Sequence, residues 1–185
     1  MATAHSLILV GFMGAGKTSV GRALAAMLGW TFEDLDDRIE RRTRRTVPEI
    51  FHNDGEAAFR RAEHAALQES LHELRTNHRI IALGGGAFVR KQNVNLIEAA
   101  GLATVFLDAS GEELWRRCCE QSAGERVERP LLGDLESFRE LYAARRSHYL
   151  NASFRLSTNG KSVEQVAIEI IAALSLESCS QGEKQ

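Results

Sequence analysis

The chain has 185 residues, 44% of them hydrophobic and 26% charged, enough for one domain with a substantial core. Its formal net charge of −2 leaves no electrostatic footprint for nucleic acid, and no stretch approaches the roughly 20 apolar residues of a membrane span. Three cysteines, two of them adjacent at Cys118 and Cys119, form neither a disulfide framework nor a Cys-x-x-Cys metal pair, which points to a reduced, cytoplasmic setting.

The N-terminus lacks the positive region of a signal peptide. Residues 7–10, Leu-Ile-Leu-Val, read as a buried parallel strand. Next comes Gly11-Phe12-Met13-Gly14-Ala15-Gly16-Lys17-Thr18, which fits G-x-x-x-x-G-K-[ST], the phosphate-binding loop. Residues 19–28, rich in Ala and Leu, predict a helix. Strand, Gly-rich turn and helix in that order are what phosphate binding needs: main-chain N–H groups and a helix N-terminus facing an anion. Lys17 then reaches the β- and γ-phosphates of a nucleotide, and the Thr18 hydroxyl sits on Mg²⁺.

A short second strand at 30–32 runs into Asp34 and Asp36, and an arginine-rich helix follows. That basic run reads as a solvated face in a slightly acidic chain. Pro48 opens another short helix, 53–55 (Asn-Asp-Gly) is a turn, and a long helix occupies about 56–75. Residues 79–83 form the third strand, closed by Gly84-Gly85-Gly86. A helix at 91–100, a fourth strand at 102–107 and a helix at 112–119 come next. Residues 121–133 have no hydrophobic period and read as a mobile loop of the lid kind, the lid as a whole spanning about 119–133. A helix at 134–150, a weak strand at 154–157 and a last helix at 163–174 complete a single domain, 1–176, ahead of a disordered tail, 177–185. The expected fold is α/β: a three-layer open parallel sheet of about five strands, helices on both faces. In such sheets ligands bind beyond the carboxyl ends of the strands.

Along that rim several groups invite chemistry. Asp34 and Asp36 lie two apart; in extended chain they point to opposite sides, so one suits Mg²⁺ and the other a substrate hydroxyl. A pair of helix N-cap acids explains them equally well. Arg60 and Glu63, three apart at the start of the long helix, suit either recognition of an anionic substrate or a plain surface ion pair, with the ion pair favoured on spacing alone. The three glycines suggest either a ligand touching backbone or a simple turn. Arg129, inside the lid, suits a charge-stabilising finger or a solvated loop cation. The histidines show no metal-ligand spacing, and Trp30 and Trp115 read as packing residues.

In combination the chain resembles the shikimate kinase family over nearly its whole length. The resemblance is carried by the form of the phosphate loop, Asp34-x-Asp36, Phe59-Arg60-x-x-Glu63, Gly84-Gly85-Gly86, Arg129-Pro-Leu-Leu, and an Arg145 separated by three residues from Tyr149. It implies a P-loop kinase fold of the nucleoside monophosphate kinase type and ATP-dependent phosphorylation of the 3-hydroxyl of shikimate. It implies ATP and Mg²⁺ as cofactors, shikimate as the small-molecule partner and a monomer. On this resemblance Gly14, Ala15, Gly16, Lys17, Thr18, Ser19, Arg117 and Arg129 hold nucleotide, with Arg117 packed on adenine. Thr18 and Asp34 serve the metal. Lys17, Asp36 and Arg129 are catalytic, Asp36 as base. Asp36, Arg60, Gly85, Gly86 and Arg145 bind shikimate, Arg60 and Arg145 on its carboxylate, and Glu63 braces the pocket. One departure leaves a choice: where the family has Arg-x-Pro-Leu-Tyr, this chain has Arg145-Arg146-Ser147-His148-Tyr149, so either arginine can face the substrate, with Arg145 favoured by spacing. The alternatives are a sugar-acid kinase of the gluconate type, or a nucleotide-binding relative that has lost catalysis.

Overall fold

The structure, a computed structural model, describes residues 6–73, 78–124 and 134–178, with only backbone at 122–124. In chain order the elements are β1 (Ser6–Val10), α1 (Lys17–Leu28), β2 (Thr31–Asp34), α2 (Leu35–Thr43), α3 (Val47–Glu73), β3 (Arg79–Ala82), a 3₁₀ turn (Ala87–Val89), α4 (Lys91–Ala99), β4 (Ala103–Asp108), α5 (Gly111–Gly124), α6 (Leu135–Tyr149), β5 (Phe154–Ser157) and α7 (Val163–Leu174).

The five strands form one sheet in the order β2-β3-β1-β4-β5, every pair parallel. The expected α/β sheet with helices on both faces is what the chain builds. β1 occupies the centre: Ile8 stands opposite Ile81 on one side and Thr104 on the other. Leu7, Ile8 and Leu9 are fully buried, each contributing roughly 1.5–3 kcal/mol relative to exposure. A strand covered on both faces needs a continuous apolar run, and β1 has one. β2 and β5 are the edges, and β5 is largely exposed. Helices α1 and α7 pack against each other, as do α2 and α3. No helix among the described residues is long and apolar enough to cross a membrane.

Three local findings change the sequence expectation. The chain does not stay extended through Asp36: α2 begins at Leu35, directly after β2. The two helices expected around the 53–55 turn are continuous except at Gly55, whose φ of 77° and ψ of 173° break the path of α3. And α5 runs on to Gly124, so 119–124, assigned to the lid, are helical. Glu120 and Gln121 are exposed, so neither adds an apolar position to the helical pattern. Residues 125–133 and 179–185, the rest of the lid and nearly all of the tail, lie outside the described residues.

The loop after β1 leads back toward β2, whereas β4, its neighbour, leads on to β5. Connections diverging from adjacent strands open a crevice at their carboxyl ends, and the phosphate loop lies at that place.

Candidate active site

Residues 11–16 form the turn between β1 and α1. Gly14 has φ of 78°, and a Cβ there would lie 2.7 Å from the Leu114 carbonyl oxygen and 2.8 Å from Cys118 Sγ. Only glycine lets the loop pass this close to α5. Gly16, also left-handed, caps α1, whose first turn carries no acidic residue, so an uncompensated positive helix end faces the crevice. Phe12 is fully buried, its ring edge-on to Phe138 at 5.0 Å and tilted against Tyr142 at 5.4 Å. The Lys17 ammonium bends back to donate to the Gly11 and Phe12 carbonyls at 2.9 and 3.0 Å. A cleft of about 250 Å³ opens here, lined among others by Lys17, Thr18, Asp34, Asp36, Gly84 and Gly85.

Asp34 takes two donors at once. The Thr18 hydroxyl reaches its Oδ2 at 2.8 Å, and the Asp36 N–H reaches its Oδ1 at 3.1 Å. It is thus an N-cap and a neighbour of the phosphate-loop hydroxyl together; the two sequence readings of Asp34 are compatible. Asp36 lies in the first turn of α2. Its Oδ1 is buried and has no hydrogen-bond partner among the described residues. Burial pushes the Asp36 carboxyl up to about 7, helped by the charges of Asp34 and Glu63 and opposed by Lys17.

Beyond the glycines lies a second polar group. Arg60 is buried on α3. Its Nη1 donates to both oxygens of Glu63 at 3.0 and 3.1 Å; its Nε and Nη2 both donate to Glu56 Oε1 at 3.2 and 3.1 Å. Glu63 is fully buried, and burial raises its carboxyl against the pull of Arg60. The glycines make room for these side chains: a Cβ on Gly84 would lie 2.8 Å from Asp36 Oδ1, and one on Gly86 would lie 2.6 Å from both terminal nitrogens of Arg60. A plain turn needs no such clearance, so Gly84 and Gly86 are explained by what presses against them, whereas a Cβ on Gly85 would meet only ordinary contacts.

The adjacent arginines of α6 separate cleanly. Arg146 donates to Asp108 Oδ2 at 2.9 Å and to the Tyr142 hydroxyl at 3.2 Å. Arg145 lies on the glycine side: its guanidinium is 5.8 Å from the centre of the Phe12 ring, and its Nη1 is 3.6 Å from where a Gly85 Cβ would stand. Tyr149 hydrogen-bonds the Gly85 carbonyl, tying α6 to the same turn.

On the other side of the phosphate loop a cleft of about 380 Å³ is lined by Gly14, Gly16, Ser19, Arg117, Thr158 and Lys161 among others. Arg117 is held there by Glu113 at 2.8 Å, the Thr158 hydroxyl at 3.2 Å and the Thr158 carbonyl at 2.9 Å. Two partners went unforeseen from sequence. Asp108, which fixes Arg146 and also meets Arg155 and Tyr142, ends a strand where an acid is easily read as a turn residue. Thr158 follows a weak strand with no motif around it. Arg129 lies outside the described residues.

The structure therefore brings the phosphate loop, both aspartates, the glycines, Arg60, Glu63 and Arg145 to one rim, with Arg117 across the loop. Residues 13–175 match the family model described as shikimate kinase. The shikimate kinase of Thermus thermophilus is 40% identical over 169 residues, 90% of this chain and 88% of that one. Among solved structures, the chain is similar to the shikimate kinase from Acinetobacter baumannii in complex with shikimate, with TM-score 0.82, 33% identity and 94% of each chain covered. A gluconokinase from Sinorhizobium meliloti 1021 gives TM-score 0.56 at 18% identity over 92% of this chain and 91% of that one, a likeness of fold alone.

Proposed function

The chain belongs to the shikimate kinase family, and from that premise we propose that it transfers the γ-phosphoryl group of ATP to the 3-hydroxyl of shikimate. The reading is carried by Asp36, whose unpartnered buried oxygen lies beside Gly84, between the phosphate loop and the Arg60 pocket. A carboxyl held near neutral is well matched to accepting a proton at the working pH of a cell. Asp36 orients the hydroxyl and takes its proton as the oxygen attacks.

The N–H groups at the start of α1 hold the phosphates, and Lys17 exchanges its two carbonyl partners for phosphate oxygens. Thr18 and Asp34 are the proposed holders of Mg²⁺. Their oxygens are hard donors 2.8 Å apart, and Mg²⁺ is commonly held by one or two carboxylates while phosphates and waters complete its shell. When bound, the ion neutralises charge on the moving phosphoryl group. Arg60 and Arg145 grip the acceptor carboxylate, Glu63 steadies Arg60, and Arg117 flanks the nucleotide base. Arg129 is assigned to transition-state charge on the family resemblance. The two described cysteines are free thiols, which suits a cytoplasmic enzyme.

The test is a coupled assay of ADP release with shikimate, with gluconate and with no acceptor. ADP release that depends on shikimate supports the proposal. Release with gluconate alone indicates a sugar-acid kinase, and nucleotide binding without turnover indicates a non-catalytic relative.

A further inference from the structure

Arg60 is paired at both ends of its guanidinium before any substrate arrives. Its inner end is bound by the buried Glu63, and its Nε–Nη2 edge by a single oxygen of Glu56. That edge is one of the faces on which a guanidinium binds a carboxylate through two parallel hydrogen bonds. The two glutamates differ in kind. Glu63 is sealed in the core, whereas the Glu56 side chain is 67% exposed. Among the described residues Glu56 has no other ion-pair partner. It directly follows Gly55, where the backbone path of α3 breaks and the space around the residue is open. One carboxylate is fixed; the other is free to leave.

We propose that Glu56 is a displaceable stand-in for the acceptor's carboxylate, and that it raises the affinity an anion needs in order to be held at Arg60. This rests on the acceptor-binding reading above. An incoming carboxylate must evict Glu56 to reach the Nε–Nη2 edge, so the exchange is carboxylate for carboxylate at nearly constant charge. A bare small anion gains little from such a trade. An acceptor that also makes hydroxyl contacts across the pocket gains those in addition. The stand-in thereby weakens every anion at Arg60 by a similar factor and leaves only multiply bonded ligands above threshold. It also satisfies the Nε–Nη2 edge while the site is empty, donors that Glu63 does not take.

The experiment is Glu56→Gln, with Glu56→Ala as a second variant should the amide fail to fold. Titration calorimetry measures Kd for shikimate and for benzoate, a carboxylate without ring hydroxyls, alongside KM for shikimate and for ATP. Removing an exposed ion pair releases at most about 1 kcal/mol of competition, which is about fivefold at 1.4 kcal/mol per decade. Both Kd values are expected to fall about two- to fivefold, with KM for shikimate following and KM for ATP unmoved. Unchanged Kd values overturn the proposal, because Glu56 then does not compete. Weakened binding overturns it too, because Glu56 then serves to position Arg60. The benzoate arm keeps the outcomes apart: if shikimate fails to bind the wild type while Glu56→Gln still tightens benzoate, the acceptor identity is wrong and the stand-in survives.

Discussion

The N–H of Asp36 donates to the carboxylate of Asp34 at 3.1 Å, so one acid of the pair caps the helix on which the other sits. Their proposed roles separate on mutation. Asp36→Asn is expected to cut turnover ~10²-fold or more, the scale of a general base, with little change in KM for ATP. Near-normal turnover would remove Asp36 from catalysis. Asp34→Asn keeps an N-cap, since Asn and Asp cap about equally well. It is expected to leave the melting temperature near that of the wild type and to raise the Mg²⁺ concentration needed for half-maximal rate.

The arginines of α6 are expected to fail in different ways. A charged hydrogen bond is worth about 1.5–3 kcal/mol, so Arg145→Lys, which loses the planar fork, is expected to raise KM for shikimate roughly 10- to 150-fold. KM for ATP should hold. Arg146 spends its donors on Asp108 and Tyr142, so Arg146→Lys is expected to lower the melting temperature with a smaller effect on KM. Steady-state kinetics and thermal melts on both variants settle which arginine faces the acceptor.

The glycines offer a test by added volume. Gly86→Ala places a methyl group 2.6 Å from the terminal nitrogens of Arg60, and Gly84→Ala places one 2.8 Å from Asp36 Oδ1. The first is expected to raise KM for shikimate, the second to lower kcat. Equal effects on both parameters in both variants would mean that the turn itself had been distorted.

Away from the site, Glu73 is held by Arg38 and Arg79, which lower its carboxyl from 4.5 to about 2. A group with a depressed folded pKa stabilises above its unfolded value and loses that contribution as pH falls through the folded one. Glu73→Gln is therefore expected to lower the urea midpoint modestly at pH 7, since the side chain is half exposed. The gap between variant and wild type should close between about pH 4.5 and pH 2. A gap that stays constant over that range would show that the ion pairs contribute nothing through charge.

Much of the scaffold was legible because it obeys short-range rules. The run Leu7 to Val10 is apolar because both faces of β1 are covered, and Gly16-Lys17-Thr18 must open a helix for its N–H groups to face an anion. The parts that resisted reading depend on neighbours distant in sequence. The sequence leaves a helix cap and an extended Asp34-x-Asp36 equally open, because the cap that starts α2 at Leu35, Asp34, looks the same in an extended strand. The spacing to Tyr149 favours Arg145 over Arg146 without showing why; the reason is Asp108, 38 residues before Arg146, which holds that side chain away. Glu56 reads as an ordinary helix-start acid until its distance to Arg60 is known.

Phe12 ties the phosphate loop to α6. It is part of the loop that receives phosphate, yet its ring is buried against α6 and lies 5.8 Å from the Arg145 guanidinium. On the proposed assignment, the nucleotide and acceptor sites thus rest on one buried ring rather than on separate supports. Thermodynamic linkage makes the sharing reciprocal: whatever free energy nucleotide contributes by steadying that ring must reappear as tighter acceptor binding, by the same factor in both directions. Kd for shikimate measured with and without ADP, and for ADP with and without shikimate, closes the cycle. Phe12→Leu, which keeps the loop apolar but removes the ring, is expected to shrink that shared factor while leaving each ligand's separate affinity largely in place.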